Sequence, residues 1–328
     1  MTLLHSAPPA VTVRVPAKVN LQLAVGPVRP DGYHGVVTVY QALSLFDEVT
    51  VWPAERNKIV VTGEDADAVP TGPANLASQA VTALARATGR RGRERSAVRI
   101  EIRKRIPMAA GLAGGSADAA ATLVACNELW RTGLSQNDLC EVAAGLGSDV
   151  PFALIGGTAV GRGRGEQLTA ALVAGTYHWA LAFAAGGLST PEVYATYDRL
   201  RASRSAGGGD GIGTVRAAAF EPELSGPLMT ALRSGDPAAV GPALVNDLQP
   251  AAITLRPELR RALTEGREHG AVGAIVSGSG PTCAFLAKDA RHARDLAVSL
   301  TGAGICRGVA VASGPVPGAV VVAAGELA

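Results

Sequence analysis

The chain has 328 residues, of which 48% are hydrophobic, and a mean hydropathy of +0.22, a composition that excludes disorder over most of its length and suffices for two cores. Thirty basic against 28 acidic side chains leave a formal charge of +2, which excludes the broad basic field of a nucleic-acid binder and makes any anion site a local one. Forty glycines are about 12% of the chain against a usual ~7%, so the surplus lies in backbone freedom.

Residues 11–15 (VTVRV) and 19–25 (VNLQLAV) alternate apolar and polar side chains, with Pro16 between them, and predict two short half-buried strands. After the turn RPDGYHG come two further β-rich runs, 36–52 and 59–63. Residues 75–87 place Leu76, Ala80, Ala83 and Leu84 on one helical face, opened by Asn75 as a capping residue. Period two returns in VRIEIRKRIP, and a glycine-rich loop then runs into a helix predicted to start near Ser116, with Ser116 as its cap. A helix over 134–146, opened by Ser135, precedes GSDVPFALIGGTAVGRGRGEQL, which reads as a turn towards extended structure.

The second half reads as strand (HWALAFA), loop (GGLSTP), helix (EVYATYDRL) and a glycine-rich insertion over 201–213. Helices around 227–245 and 256–270, two strands about the glycine turn in AVGAIVSGSGPTCAFLA, a helix at 289–302 and a β-rich tail complete an α+β second unit. Cys126, Cys140, Cys283 and Cys306 are scattered without a C-x-x-C pair, against a disulfide framework or zinc site. The first residues carry no basic n-region followed by an apolar core, and no apolar stretch is long enough to span a bilayer, so a soluble cytoplasmic protein is expected.

The segment 107–121, PMAAGLAGGSADAAA, carries the clearest chemical signal. Glycines running into a helix N-terminus let successive amides converge on an anion, where the helix dipole adds about half a positive charge. Neither G-x-x-x-x-G-K-[ST] nor G-x-G-x-x-G occurs, so P-loop and Rossmann readings fall away. On glycine content alone, a flexible lead-in to a helix explains the segment equally well.

Four elements in order, PAKVNLQLAVGPVRPDGYHG, the glycine loop, LGSDVPF and VSGSGPTCAFL, together resemble the GHMP kinase superfamily over residues about 12 to 315. The resemblance implies a two-domain α+β fold, with an N-terminal ribosomal-protein-S5-domain-2-like domain over 1–170 that binds ATP and a C-terminal ferredoxin-like domain over 171–328, the substrate lying in the cleft between them. PAK-x-N-L-x-L with R-x-DGYH is similar to the branch that phosphorylates the 2-hydroxyl of a cytidine diphosphate-linked methylerythritol in the non-mevalonate isoprenoid route. The alternatives are another small-alcohol kinase of the homoserine or mevalonate type and a catalytically silent nucleotide-binding regulator. A small-molecule substrate, no nucleic acid, no membrane, and a monomer or homodimer complete the expectation.

The same resemblance assigns roles. Asp149, by position a plain turn former or cap, becomes the catalytic base; Lys18, by composition a solvated strand residue though one of only four lysines, becomes the cation that holds the base ionised and activates the hydroxyl. Asn20 shares a strand face with Lys18 and reaches the same substrate. Tyr33 and His34, otherwise an exposed turn, are the cytosine readers by stacking and edge hydrogen bonding, with Thr190 and Tyr194 as further substrate contacts. Asn75 and Leu76 lie beside adenine and ribose. Pro107, Met108, Ala109, Ala110, Gly111, Leu112, Ala113, Gly114, Gly115, Ser116 and Ala117 form the ATP loop, in which Ala113 stands for a frequent glycine and Ala117 for a second serine. Ser277 and Gly278 belong to a motif closing over loop and substrate, and 246–250 (NDLQP) is scaffold. ATP chemistry implies Mg²⁺, with Ser116 the candidate ligand.

Overall fold

The computed structural model describes residues 10–90, 92, 96–206 and 221–322. Of the glycine-rich insertion expected over 201–213, residues 201–206 are instead the last turns of a helix that runs Thr190–Ala206, and the remainder, with most of the basic run 90–95, lies outside the described residues.

The first sheet is built on two long antiparallel strands, β1 (Val11–Val28) and β2 (His34–Pro53). The two strands expected about Pro16 are one. Proline lacks an N–H for the ladder, and here the cost is taken up by a register shift at Pro16/Ala17 that leaves pairing intact on both sides. The alternation is not half-buried either. On one face Val13, Val15 and Ala17 enter one core, Val19 and Leu21 a second, and Leu23 and Val25 a third. The side chains between them, Lys18, Asn20 and Gln22, are buried as well.

β2 also pairs with β4 (Val98–Lys104), which runs parallel to β3 (Lys58–Gly63), and with β5 (Thr158–Arg162), itself paired with β6 (Gln167–Ala170). The helices α1 (Leu76–Ala87) and α2 (Gly114–Trp130) cover this sheet, together with α3 (Gln136–Ala144) and α4 (Val150–Ile155). Asn75 caps α1 by accepting from Ala77 N, as expected, and Ser135 with Asp138 forms a full capping box on α3. α4 was not expected: six residues carry no readable period, and Pro151 in its first turn supplies the helical φ instead.

The second sheet is antiparallel, ordered β11 (Gly308–Gly314), β7 (Tyr177–Phe183), β10 (Cys283–Ala287), β9 (Gly273–Val276). Around it lie α5 (Thr190–Ala206), α6 (Gly226–Ser234), α7 (Pro237–Ala243), α8 (Gln249–Leu255), α9 (Glu258–Glu268) and α10 (Ala290–Gly302). The chain crosses back twice. β8 (Val245–Asn246) joins β1 in parallel and β12 (Val320–Val321) pairs with its outer end, so both belong to the first sheet.

Candidate active site

β1 brings Lys18 and Asn20 to the floor of a cleft of about 690 Å³ between the two sheets. Lys18 Nζ, 6% exposed, donates to Asn20 Oδ1 at 2.7 Å and to the Gly111 carbonyl at 2.9 Å, and lies 3.7 Å from Asp149 Oδ2. Burial presses its pKa down, and the charge and hydrogen bonding of Asp149 offset only part of this. Asn20 is oriented by donating to Thr38 Oγ1 at 2.8 Å, and that hydroxyl donates in turn to the Gln22 carbonyl at 2.7 Å. Lysine and asparagine thus meet because period two puts them on one face and a buried chain of bonds fixes their tips.

Asp149 precedes α4 at the N-cap position, yet its side chain makes no cap bond. It turns into the cleft instead, where Tyr40 Oη donates to its Oδ1 at 2.9 Å. Tyr40 stacks on Phe152 of α4 with ring centroids 4.8 Å apart, which ties β2 to the segment carrying Asp149. Burial first, and then Asp149, push the Tyr40 phenol well up, so it stays a donor. Tyr40 lies in an apolar strand with no motif around it, and sequence reasoning missed it.

The glycine loop reaches the opposite wall. α2 begins at Gly114, not at Ser116. Ala113 occupies the N-cap position at φ +61° with no side-chain cap, and Ser116 falls at the third helical residue. The amides of Gly114, Gly115 and Ser116 therefore open the helix without a serine in front of them. Ala109 at φ +50° and Gly111 at φ +76° bend the loop so that the Gly111 carbonyl faces inwards, where Ser277 Oγ joins Lys18 in donating to it, at 3.0 Å. Here only glycine fits. A Cβ on Gly111 would stand 2.2 Å from the Ser277 carbonyl.

Ala109, Ala110, Gly111, Ala113, Gly114, Gly115 and Ser116 line the cleft. Leu112 and Ala117 turn into the core at 0% exposure, and Pro107 is buried behind the loop. Asn75 is also outside the lining: besides its cap bond it donates to the Pro70 carbonyl at 2.7 Å. Leu76 borders Gly115, with its Cδ1 3.7 Å from where a Cβ would be, and Met108 N donates to Asp65 Oδ2 at 3.1 Å on the outer side of the loop.

Beneath the loop is a buried triad that sequence reasoning did not find. Lys104 Nζ lies 3.1 Å from the Cβ position of Gly114 and is held between Asp47 and Asp118, while Asp47 Oδ1 accepts from Arg105 N and Ile106 N at 2.6 and 2.9 Å. The triad therefore pins both β4, which leads into the loop, and α2, which leaves it. Burial opposes the charge on Lys104, but the two carboxylates raise its pKa overall; burial pushes Asp118 up to about 8, and its Oδ1 has no partner.

At the far end Gly32, at φ +82°, turns β1 into β2, and Asp31 Oδ1 accepts from Tyr33 N. Tyr33 stands 55% exposed at the cleft rim. His34 stacks on Tyr194 at 4.8 Å and pairs through Nε2 with Asp198 at 3.0 Å, while Thr190 Oγ1 meets Ser279 Oγ at 3.0 Å. Burial, with a contribution from Asp149, raises the Tyr194 phenol. Gly278 closes over Lys18, Ser277 is buried behind it, and Asn246 holds this turn by donating to the carbonyls of Val276 and Gly278 at 2.8 and 2.7 Å.

No group of three or more His, Cys, Asp or Glu side chains among the described residues is placed to hold a metal by itself. A cation carried chiefly by phosphate oxygens needs few protein donors, and Ser116 is among the residues that line the cleft. No helix of the described residues is long and apolar enough to cross a membrane.

Residues 75–157 match the GHMP kinases N terminal domain and residues 228–305 the GHMP kinases C terminal family. The chain is 54% identical over 329 residues to a 4-diphosphocytidyl-2-C-methyl-D-erythritol kinase of Thermobifida fusca (strain YX), covering 97% of this chain and 100% of the relative. A crystal structure of a 4-(cytidine 5′-diphospho)-2C-methyl-D-erythritol kinase superposes with a TM-score of 0.70 at 33% identity, covering 92% of this chain and 98% of the other. Homoserine kinase from Cytophaga hutchinsonii superposes with a TM-score of 0.70 at 18% identity, over 98% of this chain and 100% of that one, and shares the fold alone.

Proposed function

Since the chain belongs to the 4-diphosphocytidyl-2-C-methyl-D-erythritol kinase family of the GHMP kinases, we propose that its cleft transfers the γ-phosphoryl group of ATP to the 2-hydroxyl of that diphosphocytidyl alcohol, giving the 2-phosphate and ADP. It is a phosphotransferase with an alcohol acceptor, of the methylerythritol phosphate route to isoprenoid precursors. The cytoplasm is its proposed location. The observation that carries the reading is the Lys18–Asp149 pair, 3.7 Å apart, set across one cleft from the open N-terminus of α2.

Phosphoryl transfer rests on positioning and on stabilising charge spread over the phosphate oxygens. The amides of 109–116 and the dipole of α2 hold the phosphates. Mg²⁺, when bound, neutralises charge across the β- and γ-phosphates, and Ser116 is its proposed protein ligand. Asp149 accepts the proton of the acceptor hydroxyl, Lys18 holds that carboxylate ionised and stabilises the forming alkoxide, and Asn20 orients the hydroxyl. Cytosine lies at the rim, between Tyr33 and the His34–Tyr194 stack, with Thr190 nearby. Asn75, Leu76, Pro107 and Met108 border the adenosine end, and Ser277 and Gly278 close the site. We place ATP mainly on residues 1–170 and the substrate in the cleft between them and 171–328, from which β8 and β12 return to the first sheet.

An assay coupled to ADP release, with the diphosphocytidyl alcohol, homoserine and mevalonate as acceptors, tests the reading. Turnover confined to the diphosphocytidyl alcohol is expected; turnover of homoserine or mevalonate without it overturns the assignment.

A further inference from the structure

Among the described residues, two lysine or arginine side chains, Lys18 and Arg164, line the cleft. Lys18 is committed to Asn20, the Gly111 carbonyl and Asp149. Arg164 is not: its guanidinium lies 3.9 Å from its ion-pair partner Glu166, beyond hydrogen-bond length, and its side chain is 32% exposed. The carboxylates in the lining are held elsewhere, Asp149 by Tyr40 and Lys18 and Asp198 by His34. The acceptor proposed above brings a diphosphate into this cleft in addition to ATP, and no role for Arg164 has been needed so far.

The turn between β5 and β6 fixes where Arg164 sits. The Gly163 carbonyl accepts from Val36 N at 2.9 Å, and Glu166 Oε2 accepts from Arg164 N at 2.6 Å, so the turn is tied to β2. Its next residue, Gly165 at φ +111°, is pressed against the reacting end: a Cβ there would stand 2.3 Å from Tyr40 Oη and 3.9 Å from Ser148 Cβ. Arg164 itself extends the other way and places Cζ 5.1 Å from the centre of the Tyr33 ring at the rim. Adjacent residues of one turn thus reach the hydroxyl end and the base end. The guanidinium of Arg164, beside the base end and one residue from the hydroxyl end, is within reach of the link that joins base to alcohol.

Resting on the function proposed above, we propose that Arg164 binds the diphosphate of the acceptor, and that together with Tyr33 it selects a pyrimidine nucleoside diphosphate ester over an uncharged alcohol. Its planar fork suits two phosphate oxygens, and contact with the Tyr33 face orients it without consuming a donor.

The test uses Arg164→Met and Arg164→Lys in the full chain, held with a saturating non-hydrolysable ATP analogue, and titrates cytidine 5′-diphosphate and cytidine by calorimetry. Wild type binds the diphosphate more tightly. Arg164→Met weakens the diphosphate about ten- to one-hundred-fold, the scale of one or two charge-assisted hydrogen bonds, leaves cytidine within about twofold, and Arg164→Lys recovers part. The acceptor KM rises in parallel while the KM for ATP stays put. Equal losses for cytidine and its diphosphate, no loss for either, or no measurable binding of the diphosphate by wild type overturns the proposal. Wild type that binds the diphosphate through Arg164 but fails to turn over the diphosphocytidyl alcohol instead overturns the acceptor assignment alone.

Discussion

The phenol of Tyr40 donates to Oδ1 of Asp149 at 2.9 Å, while Oδ2 of the same carboxylate faces Lys18 at 3.7 Å. The two oxygens are therefore inequivalent. Oδ1 is occupied by a buried donor from β2, and Oδ2 is the one left to meet a hydroxyl. Tyr40 is a positioning residue in this account. Tyr40→Phe keeps the stack on Phe152 and removes only the hydrogen bond, so kcat falls about tenfold, on the scale of one such bond, with the KM for ATP unchanged. Steady-state kinetics beside a thermal melt check this; a drop in KM and kcat that tracks a lost melting temperature assigns Tyr40 to the scaffold instead.

The loop carries two positions of opposite sign. Gly111→Ala adds a Cβ 2.2 Å from the Ser277 carbonyl at φ +76°, and costs about 2 kcal/mol or more of stability. Ala113 already holds φ +61°, where glycine is easier, so Ala113→Gly raises stability by about 1 kcal/mol. Urea unfolding of the two variants measures both signs.

Asp65 joins the two sheets. Its carboxylate makes a paired contact with Arg307 at 2.7 Å on each oxygen and accepts from Met108 N on the phosphate loop. The Arg307 hydrogen bond is the main cause that lowers the Asp65 pKa. A carboxylate whose pKa is depressed by folding contributes stability above its unfolded value near ~4 and loses it as pH falls through the lower folded value. Asp65→Asn therefore lowers the melting temperature at pH 6 to 8 by the equivalent of about 0.5–1 kcal/mol, discounted for solvent screening. The gap between variant and wild type closes below about pH 4, and melts across that range follow it.

What the sequence made legible was local. Asn75 and Ser135 as helix-opening residues are set by neighbours in the chain and stand where expected. The motif residues Lys18, Asp149, Gly111 and Gly278 do converge on one cleft. Long-range relations were not legible. Tyr40 and Arg164 acquire their neighbours through β2, β5 and the turn after it, and a strand tyrosine and a loop arginine carry no mark of that. Asp47 lies 57 residues from Lys104 and meets it and Asp118 only when β2, β4 and α2 pack. The start of α2 was misplaced because Ser116 has the chemistry of a cap, whereas the loop enters the helix through Ala113 in a left-handed conformation and leaves the amides open. Pro16 read as a break because proline lacks an N–H for the ladder, whereas a bulge between two long strands absorbs it.

The central claim is that Asp149 takes the acceptor proton in an ATP-dependent transfer, and Asp149→Asn addresses it most directly because the amide keeps the shape and loses the base. ADP release with the diphosphocytidyl alcohol, measured beside ATP binding by calorimetry, should show ATP affinity within about twofold of wild type and kcat reduced by ~10²–10⁴. A variant that binds ATP normally and retains more than about a tenth of wild-type kcat contradicts the account.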